Sequence, residues 1–311
     1  MIKTKKSILI LGSGYIGSSI IDTFYNSCNI VVIDHGKNFQ KLKRKFPKVN
    51  FVVGDCTNKV ILEKFTKQSD FVFYTLNTGG VMDCILEPEK FKKINVNDFK
   101  IILNILCKQD ITFILLSSSF VYPDISYVDE ETLPQPETYY GKLRLEQEKL
   151  LKKSNLNYII LRLSNIYGFG PIFNIGNLGI IEKFINLIFS KNPITLDGNG
   201  LQKLDCVYIN DLKNVFKLLL SKTLSSNVFN VSSENNYSVL QISKMLEMYA
   251  RKNFQLSPKF ITSNNSSQLP NSPLMSSKKI KNSLSWVPKQ QNLEQKIEEM
   301  MNEYSKHKGQ I

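Results

Sequence analysis

Alanine is almost missing from this chain: Ala250 is the only one in 311 residues, while lysine, asparagine and isoleucine abound. Such a bias is what AT-rich coding DNA produces. It accounts for the formal charge of +13 without a polyanionic partner, because the lysines fall singly or in pairs and form no dense block. No nucleic-acid-binding motif accompanies the charge, so no nucleic-acid partner is expected. No apolar run reaches the length of a membrane span. The opening Met1-Ile-Lys-Thr-Lys-Lys6 leads directly into a strand-like run with no cleavage site. A cytoplasmic location and no membrane partner are therefore expected. Histidine is limited to His35 and His307, and Cys28, Cys56, Cys84, Cys107 and Cys206 are too scattered for a zinc site or a disulfide framework. No metal is expected, and buried thiols are. The lone tryptophan, Trp286, reads as core. What is present, 42% hydrophobic and 11% aromatic residues, belongs to a folded globular chain long enough for one large domain and a smaller lobe.

The run Ile8-Leu-Ile-Leu-Gly12-Ser-Gly14-Tyr-Ile-Gly17-Ser reads as a buried strand that turns through glycines into a helix. In such a turn Gly12 permits the tight bend, Gly14 lets backbone approach phosphates, and Gly17 lets helix and strand pack. The helix N-terminus then offers free N–H groups and a positive dipole to a dinucleotide pyrophosphate. A second apolar strand, Asn29 to Ile33, ends in Asp34. A carboxylate there accepts the adenosine-ribose hydroxyls and repels a 2′-phosphate, which points to NAD rather than NADP.

Strand-like runs at Ser7–Leu11, Asn29–Ile33, Asn50–Val53, Phe71–Leu76, Thr112–Ser117 and Asn157–Leu163 alternate with helical stretches. This predicts an α/β fold with a doubly wound parallel (Rossmann) sheet. Polar residues fall at the strand ends, where ligands of such sheets sit: Gly12, Asp34, Asp55, Asn77, Ser118 and Asn165. After Asn165 the rhythm loosens. Residues 1–165 are expected to form the dinucleotide domain, with a later segment of about 195–230 returning to it, and 166–311 mainly a smaller α/β substrate lobe.

The fifth strand carries hydroxyls, Ser117, Ser118 and Ser119, out of the core, and downstream Tyr139-Tyr140-Gly-Lys142-Leu-Arg144 opens a helix. Residues four apart share a helix face, so Tyr140 and Arg144 are expected to point the same way. A phenol beside a fixed cation loses its proton more readily and suits removal of a proton from a sugar hydroxyl.

At these residues the chain resembles the extended short-chain dehydrogenase/reductase family, specifically the NAD-dependent epimerase/dehydratases typified by UDP-glucose 4-epimerase. The similarity runs through the glycine turn, Gly54-Asp55, Asn95-Val-Asn97, Ser117-Ser118 before Val121-Tyr122, Tyr140-Gly-Lys142, Leu161 to Gly168, Leu196 to Asp211 and Leu284 to Pro288. The resemblance implies that Tyr140 is the general base, that Ser118 orients the reacting hydroxyl, with Ser117 and Ser119 as neighbouring alternatives, and that Arg144 completes the catalytic group. It implies a cofactor site of Gly12, Gly14, Tyr15, Ile16, Gly17, Asp34, Asp55, Cys56, Leu76, Asn95, Tyr140 and Arg144. A substrate site of Ser118, Ser119, Asn165, Leu178 and Lys203 follows in the same way. A homodimer is implied too.

Several positions depart from the family pattern. Arg144 stands where lysine is usual, keeping charge but not the compact ammonium. Leu11 replaces the first glycine of the family's turn, and Leu76 and Asn77 replace two alanines. Leu204 stands where an arginine usually grips the substrate pyrophosphate, and no arginine lies near Ser266 to Gln268. Losing such a contact costs about 1.5 to 3 kcal/mol unless a lysine substitutes. Lys203 is the candidate, but only if its segment is irregular, because adjacent strand residues face opposite ways. The expected activity is NAD-dependent epimerisation of a nucleotide-activated sugar through a keto intermediate, supplying surface-polysaccharide precursors. Two alternatives stand beside it: an NAD(P)H-dependent nucleotide-sugar reductase, which Asp34 disfavours, and a redox-silent NAD-binding protein, which Arg144 and Leu204 motivate. A 4,6-dehydratase is disfavoured because Ser119-Phe120 occupies the place of the Asp-Glu pair such enzymes carry.

Overall fold

A computed structural model describes residues 5–76, 79–172, 179–263, 272–289 and 292–307. Its strands are β1 (Ser7–Leu11), β2 (Asn29–Asp34), β3 (Asn50–Val53), β4 (Phe71–Tyr74), β5 (Thr112–Ser118), β6 (Tyr127–Val128), β7 (Asn157–Leu163), β8 (Asn165–Tyr167), β9 (Ile194–Asp197), β10 (Lys203–Tyr208), β11 (Asn227–Val231), β12 (Asn236–Ser238), β13 (Phe260–Ser263) and β14 (Leu274–Met275). Its helices are α1 (Tyr15–Phe24), α2 (Phe39–Lys45), α3 (Lys59–Thr66), α4 (Val81–Leu86), α5 (Pro88–Lys92), α6 (Asp98–Leu106), α7 (Tyr139–Lys152), α8 (Ile180–Phe189), α9 (Ile209–Ser221), α10 (Val239–Phe254), α11 (Lys278–Leu284) and α12 (Leu293–His307).

Seven strands form the main sheet in the order β11-β7-β5-β4-β1-β2-β3, every pair parallel. The alternation of side chains along a strand explains why both faces need helices. On β1, Ile8 and Ile10 join a cluster with Ile20, Phe24, Phe216 and Trp286, whereas Leu9 and Leu11 join another with Leu62, Phe99 and Ile102. Each such fully buried side chain contributes about 1.5 to 3 kcal/mol of hydrophobic stabilisation. Chain order reverses between β1 and β4, so a crevice opens there beyond the C-terminal strand ends. Strand β11 and helix α9 return to this domain from late in the sequence.

The smaller lobe has its own core. Ile181, Phe184, Ile185 and Ile188 of α8 pack with Ile242 and Leu246 of α10 and with Ile297, Met300 and Met301 of α12. A short sheet, β12-β10-β8, gives Tyr167 and Cys206 to this core and Val207 to that of the main sheet.

One strand is shorter than its composition suggests. β4 ends at Tyr74 rather than Leu76, because Thr75 turns its hydroxyl onto Leu11 O (2.9 Å) and Gly12 O (2.8 Å). The chain leaves the ladder there to fasten the glycine turn. The cysteines are all free, with Cys56, Cys84 and Cys206 buried. Trp286 is core, its indole N–H donating to Asp211 O at 3.1 Å.

Candidate functional site

At the mouth of β1, Gly12 has φ +103°, a region where a side chain is strained, and its N–H donates to Ile33 O at 3.0 Å. A Cβ on Gly17 would lie 2.2 Å from Gly12 O, so α1 can start this close to the turn only with glycine there. Gly14 is different: a Cβ on it would meet nothing within 4 Å. It is the N-cap of α1 and brings no side-chain cap, so the first-turn N–H groups and the positive helix end face open space. Asp34 Oδ2 accepts both the Ser13 N–H (2.5 Å) and the Ser13 hydroxyl (2.7 Å), pinning the carboxylate beside the turn. Its Oδ1 accepts no donor among the described residues. The arrangement fits a dinucleotide, with pyrophosphate on the end of α1 and a ribose diol on Asp34.

Further residues line the same side. Asn95 is fully buried on a π-helical turn, Lys93–Asn97, and neither of its amide atoms has a partner among the described residues. Phe99, one turn later, packs its ring 4.8 Å from that of Tyr74 at the end of β4. Asp55 is exposed, and its Oδ1 accepts the N–H and hydroxyl of Thr57, both at 2.8 Å. These bonds hold its carboxyl below the usual range. Burial pushes the adjoining Cys56 thiol up to about 12. Ile16 and Leu76 are half-buried, and the Tyr15 hydroxyl donates to Gly168 O at 2.5 Å. Asn77 and Leu178 lie outside the described residues.

Helix α7 carries the second part. Thr138 caps it, its hydroxyl oxygen accepting the Gly141 N–H at 3.0 Å. A Cβ on Gly141 would lie 2.1 Å from Phe120 O, so the first turn packs on the backbone that leaves β5. Tyr140 thereby meets Phe120 edge-on, ring centroids 6.0 Å apart at 83°. One turn on, the Arg144 guanidinium lies 4.9 Å from the centre of the Tyr140 ring and donates to Gln147 Oε1 at 2.7 Å. Arg144 is 1% exposed, so its charge is held inside the protein under the tyrosine.

The three serines at the end of β5 separate by their bonds. Ser117 donates to Glu148 Oε1 at 2.6 Å, and Ser119 shares a 3.3 Å contact with the Ser272 hydroxyl. Ser118, 8% exposed, accepts only the Phe120 N–H at 3.3 Å, so its own proton is uncommitted among the described residues. Glu148 also takes Arg162 Nε (3.0 Å) and a second guanidinium nitrogen (2.7 Å), and Arg162 reaches the Tyr122 hydroxyl at 2.8 Å. This buried network braces β5, β7 and α7 directly behind Ser118 and Tyr140.

On the other side of the crevice, Asn165 Nδ2 donates to Asp205 O at 3.2 Å. Asp205 is buried, accepts from Ser232 and Ser233, and is pushed up to about 6 by burial. The expectation that Lys203 takes the place left at Leu204 is corrected. Residues 203–205 pair in continuous register with 238–236, a regular strand, so Lys203 and Leu204 face opposite ways. One group was not anticipated. Glu182, in the first turn of α8, accepts the Gly168 N–H at 2.5 Å while its other oxygen is buried without a partner. Burial pushes its carboxyl up to about 7. The signal for it was an acid among Ile181, Phe184 and Ile185, which share the buried face of the helix, just as Arg162 inside Leu161-Arg-Leu163 signalled a buried partner.

Among the described residues no group of three or more histidine, cysteine, aspartate or glutamate side chains converges as a metal site, and no helix is long and apolar enough to cross a membrane. The chain is 29% identical over 241 residues to a putative UDP-glucose 4-epimerase of Methanocaldococcus jannaschii, covering 74% of this chain and 78% of that one. It is 25% identical over 316 residues to the UDP-glucose 4-epimerase of Lactobacillus helveticus, covering 94% of each. In fold it is similar to the crystal structure of UDP-glucose 4-epimerase from Thermotoga maritima, with a TM-score of 0.83 at 22% identity, covering 96% of this chain and 99% of that one. The model of the NAD dependent epimerase/dehydratase family matches residues 8–232, the span that contains the glycine turn, Asp34, Ser118, Tyr140 and Asn165. The chain therefore belongs to the NAD dependent epimerase/dehydratase family, and NAD is its cofactor.

Proposed function

We propose that this protein is a cytoplasmic nucleotide-sugar 4-epimerase that works through a keto sugar and serves surface-polysaccharide assembly. The observation that carries this reading is Tyr140, seated between the Phe120 edge and the Arg144 guanidinium, at the end of the strand whose Ser118 hydroxyl is uncommitted. Bound NAD supplies the hydride acceptor and donor. Ser118 holds the sugar oxygen, and the Tyr140 phenolic oxygen takes its proton as the carbon is oxidised and returns it on reduction of the opposite face. Arg144 holds the Tyr140 ring and places a positive charge against it. Gly12, Gly14, Tyr15, Ile16, Gly17, Asp34, Asp55, Cys56, Leu76 and Asn95 serve the cofactor, and Ser119, Asn165 and Leu178 the substrate. Ser119-Phe120 offers no carboxylate for an elimination, which favours epimerisation over 4,6-dehydration. We read the active species as a homodimer.

The relatives act, by name, on UDP-glucose, so UDP-hexoses are the first substrates to try. The purified protein is incubated with UDP- and dTDP-hexoses and the sugars are followed by NMR. Accumulation of 4-epimers is expected, with Tyr140→Phe at least about 100-fold slower. No turnover across the panel refutes the proposal. Consumption of NADH or NADPH with substrate in the same assay identifies the reductase instead. The second reading, a redox-silent NAD-binding protein, draws on the burial of Arg144 and on Leu204, and an inactive parent rescued by Arg144→Lys would establish it.

A further inference from the structure

Gly168 is held at its carbonyl and at its N–H by different parts of the molecule. Its carbonyl accepts the hydroxyl of Tyr15, the first residue of α1, whose N-terminus faces the pyrophosphate position. Its N–H donates to Glu182 in the first turn of α8, which belongs to the core of the smaller lobe. Gly168 itself has no freedom to slip: it has φ +113°, and a Cβ on it would lie 2.7 Å from the Tyr208 ring and 2.8 Å from Ile209. Two residues later a Cβ on Gly170 would lie 3.3 Å from the Tyr15 ring, so this loop runs along the same tyrosine. The two bonds fall on the consecutive peptide groups that flank the Gly168 Cα, so together they fix the position of one residue.

We infer that Glu182 is a positioning residue that clamps the smaller lobe onto the cofactor helix through Gly168 and Tyr15, and thereby sets how tightly NAD is retained. The inference rests on the NAD site described above and not on the identity of the sugar. Neither side chain needs to touch the reacting atoms. Loss of either bond leaves the other holding a residue that is free on one side.

The test compares the full-length protein with Glu182→Ala, Glu182→Gln, Tyr15→Phe and the double variant Glu182→Ala/Tyr15→Phe. Release of pre-bound NAD is followed by rapid dilution, and amide hydrogen exchange is measured on the NAD-free proteins. Expected are about tenfold faster release for Glu182→Ala and for Tyr15→Phe, the change one lost hydrogen bond produces. The double variant is no faster than the singles, because both act through the position of one residue, Gly168. Glu182→Gln, which keeps an acceptor oxygen, retains NAD like the parent. In Glu182→Ala exchange rises at residues 168–170 and also at residues 15–17 across the crevice. Multiplicative effects on release, or a rise in exchange confined to 168–170, overturn the clamp. A parent that binds no NAD refutes the cofactor site, while the exchange measurement still decides whether the two lobes are coupled.

Discussion

Glu182 also supplies the sharpest test of the structure by pH. Its carboxyl is 2% exposed, and burial raises it from an ordinary 4.5 to about 7. A rise of that size corresponds to about 3 kcal/mol of difference between folded and unfolded states. The folded state holds the proton more tightly, so the stabilisation is complete below about pH 4.5 and is lost as pH climbs through about 7. Glu182→Gln keeps the acceptor for the Gly168 N–H but cannot ionise. The ionisable groups that sense its charge are Tyr15, Cys206 and Tyr208. Burial raises all three, Tyr208 to about 12, so they stay neutral across the window. Asp205, raised to about 6, changes stability with the same sign but equally in both proteins, and cancels in the comparison. Urea unfolding at pH 5 and pH 8.5, followed by fluorescence and circular dichroism together to check two-state behaviour, gives the stability difference for each protein. The parent should lose about 3 kcal/mol more than Glu182→Gln between the two pH values. Equal losses in the two proteins would refute the assignment of Glu182 as a buried acid.

Three further substitutions address other parts of the argument. Arg144→Lys removes the guanidinium from the Tyr140 ring and the bond to Gln147, so kcat for epimerisation should fall about tenfold in a steady-state assay; unchanged kcat would show that a positive charge suffices and that the guanidinium geometry does not matter. Gly17→Ala drives a methyl to 2.2 Å from Gly12 O and should both lower the urea midpoint and weaken NAD binding by calorimetry, by about 2 kcal/mol or more in stability. Arg162→Ala leaves Glu148 buried without its bidentate partner and should cost about 3 to 5 kcal/mol in the same unfolding assay, with Ser117 losing its fixed acceptor.

Much of the site was legible along the chain because it is built from local patterns. The glycine turn, Asp34 at the end of β2, and Tyr140 and Arg144 one helical turn apart are short-range arrangements, set by backbone sterics and the helix repeat. The sequence selects Ser118 but leaves Ser117 and Ser119 as alternatives, since which hydroxyl is free depends on Glu148, 31 residues beyond Ser117, and on Ser272, 153 residues beyond Ser119. Lys203 was judged by what a regular strand allows, and the pairing of 203–205 with 238–236 supplied the regularity.

Fold class, family and cofactor follow from order along the chain, because the alternation of apolar strands with amphipathic helices and the glycine spacing admit few other structures. Which polar groups are buried, and what they face, depends on how distant segments pack. Gly168, bonded to Tyr15 and Glu182, and the carboxylate of Glu148, bonded to Ser117, join residues far apart in the chain. Their energies come from exclusion of water, and the local pattern of residues does not reveal where water is excluded.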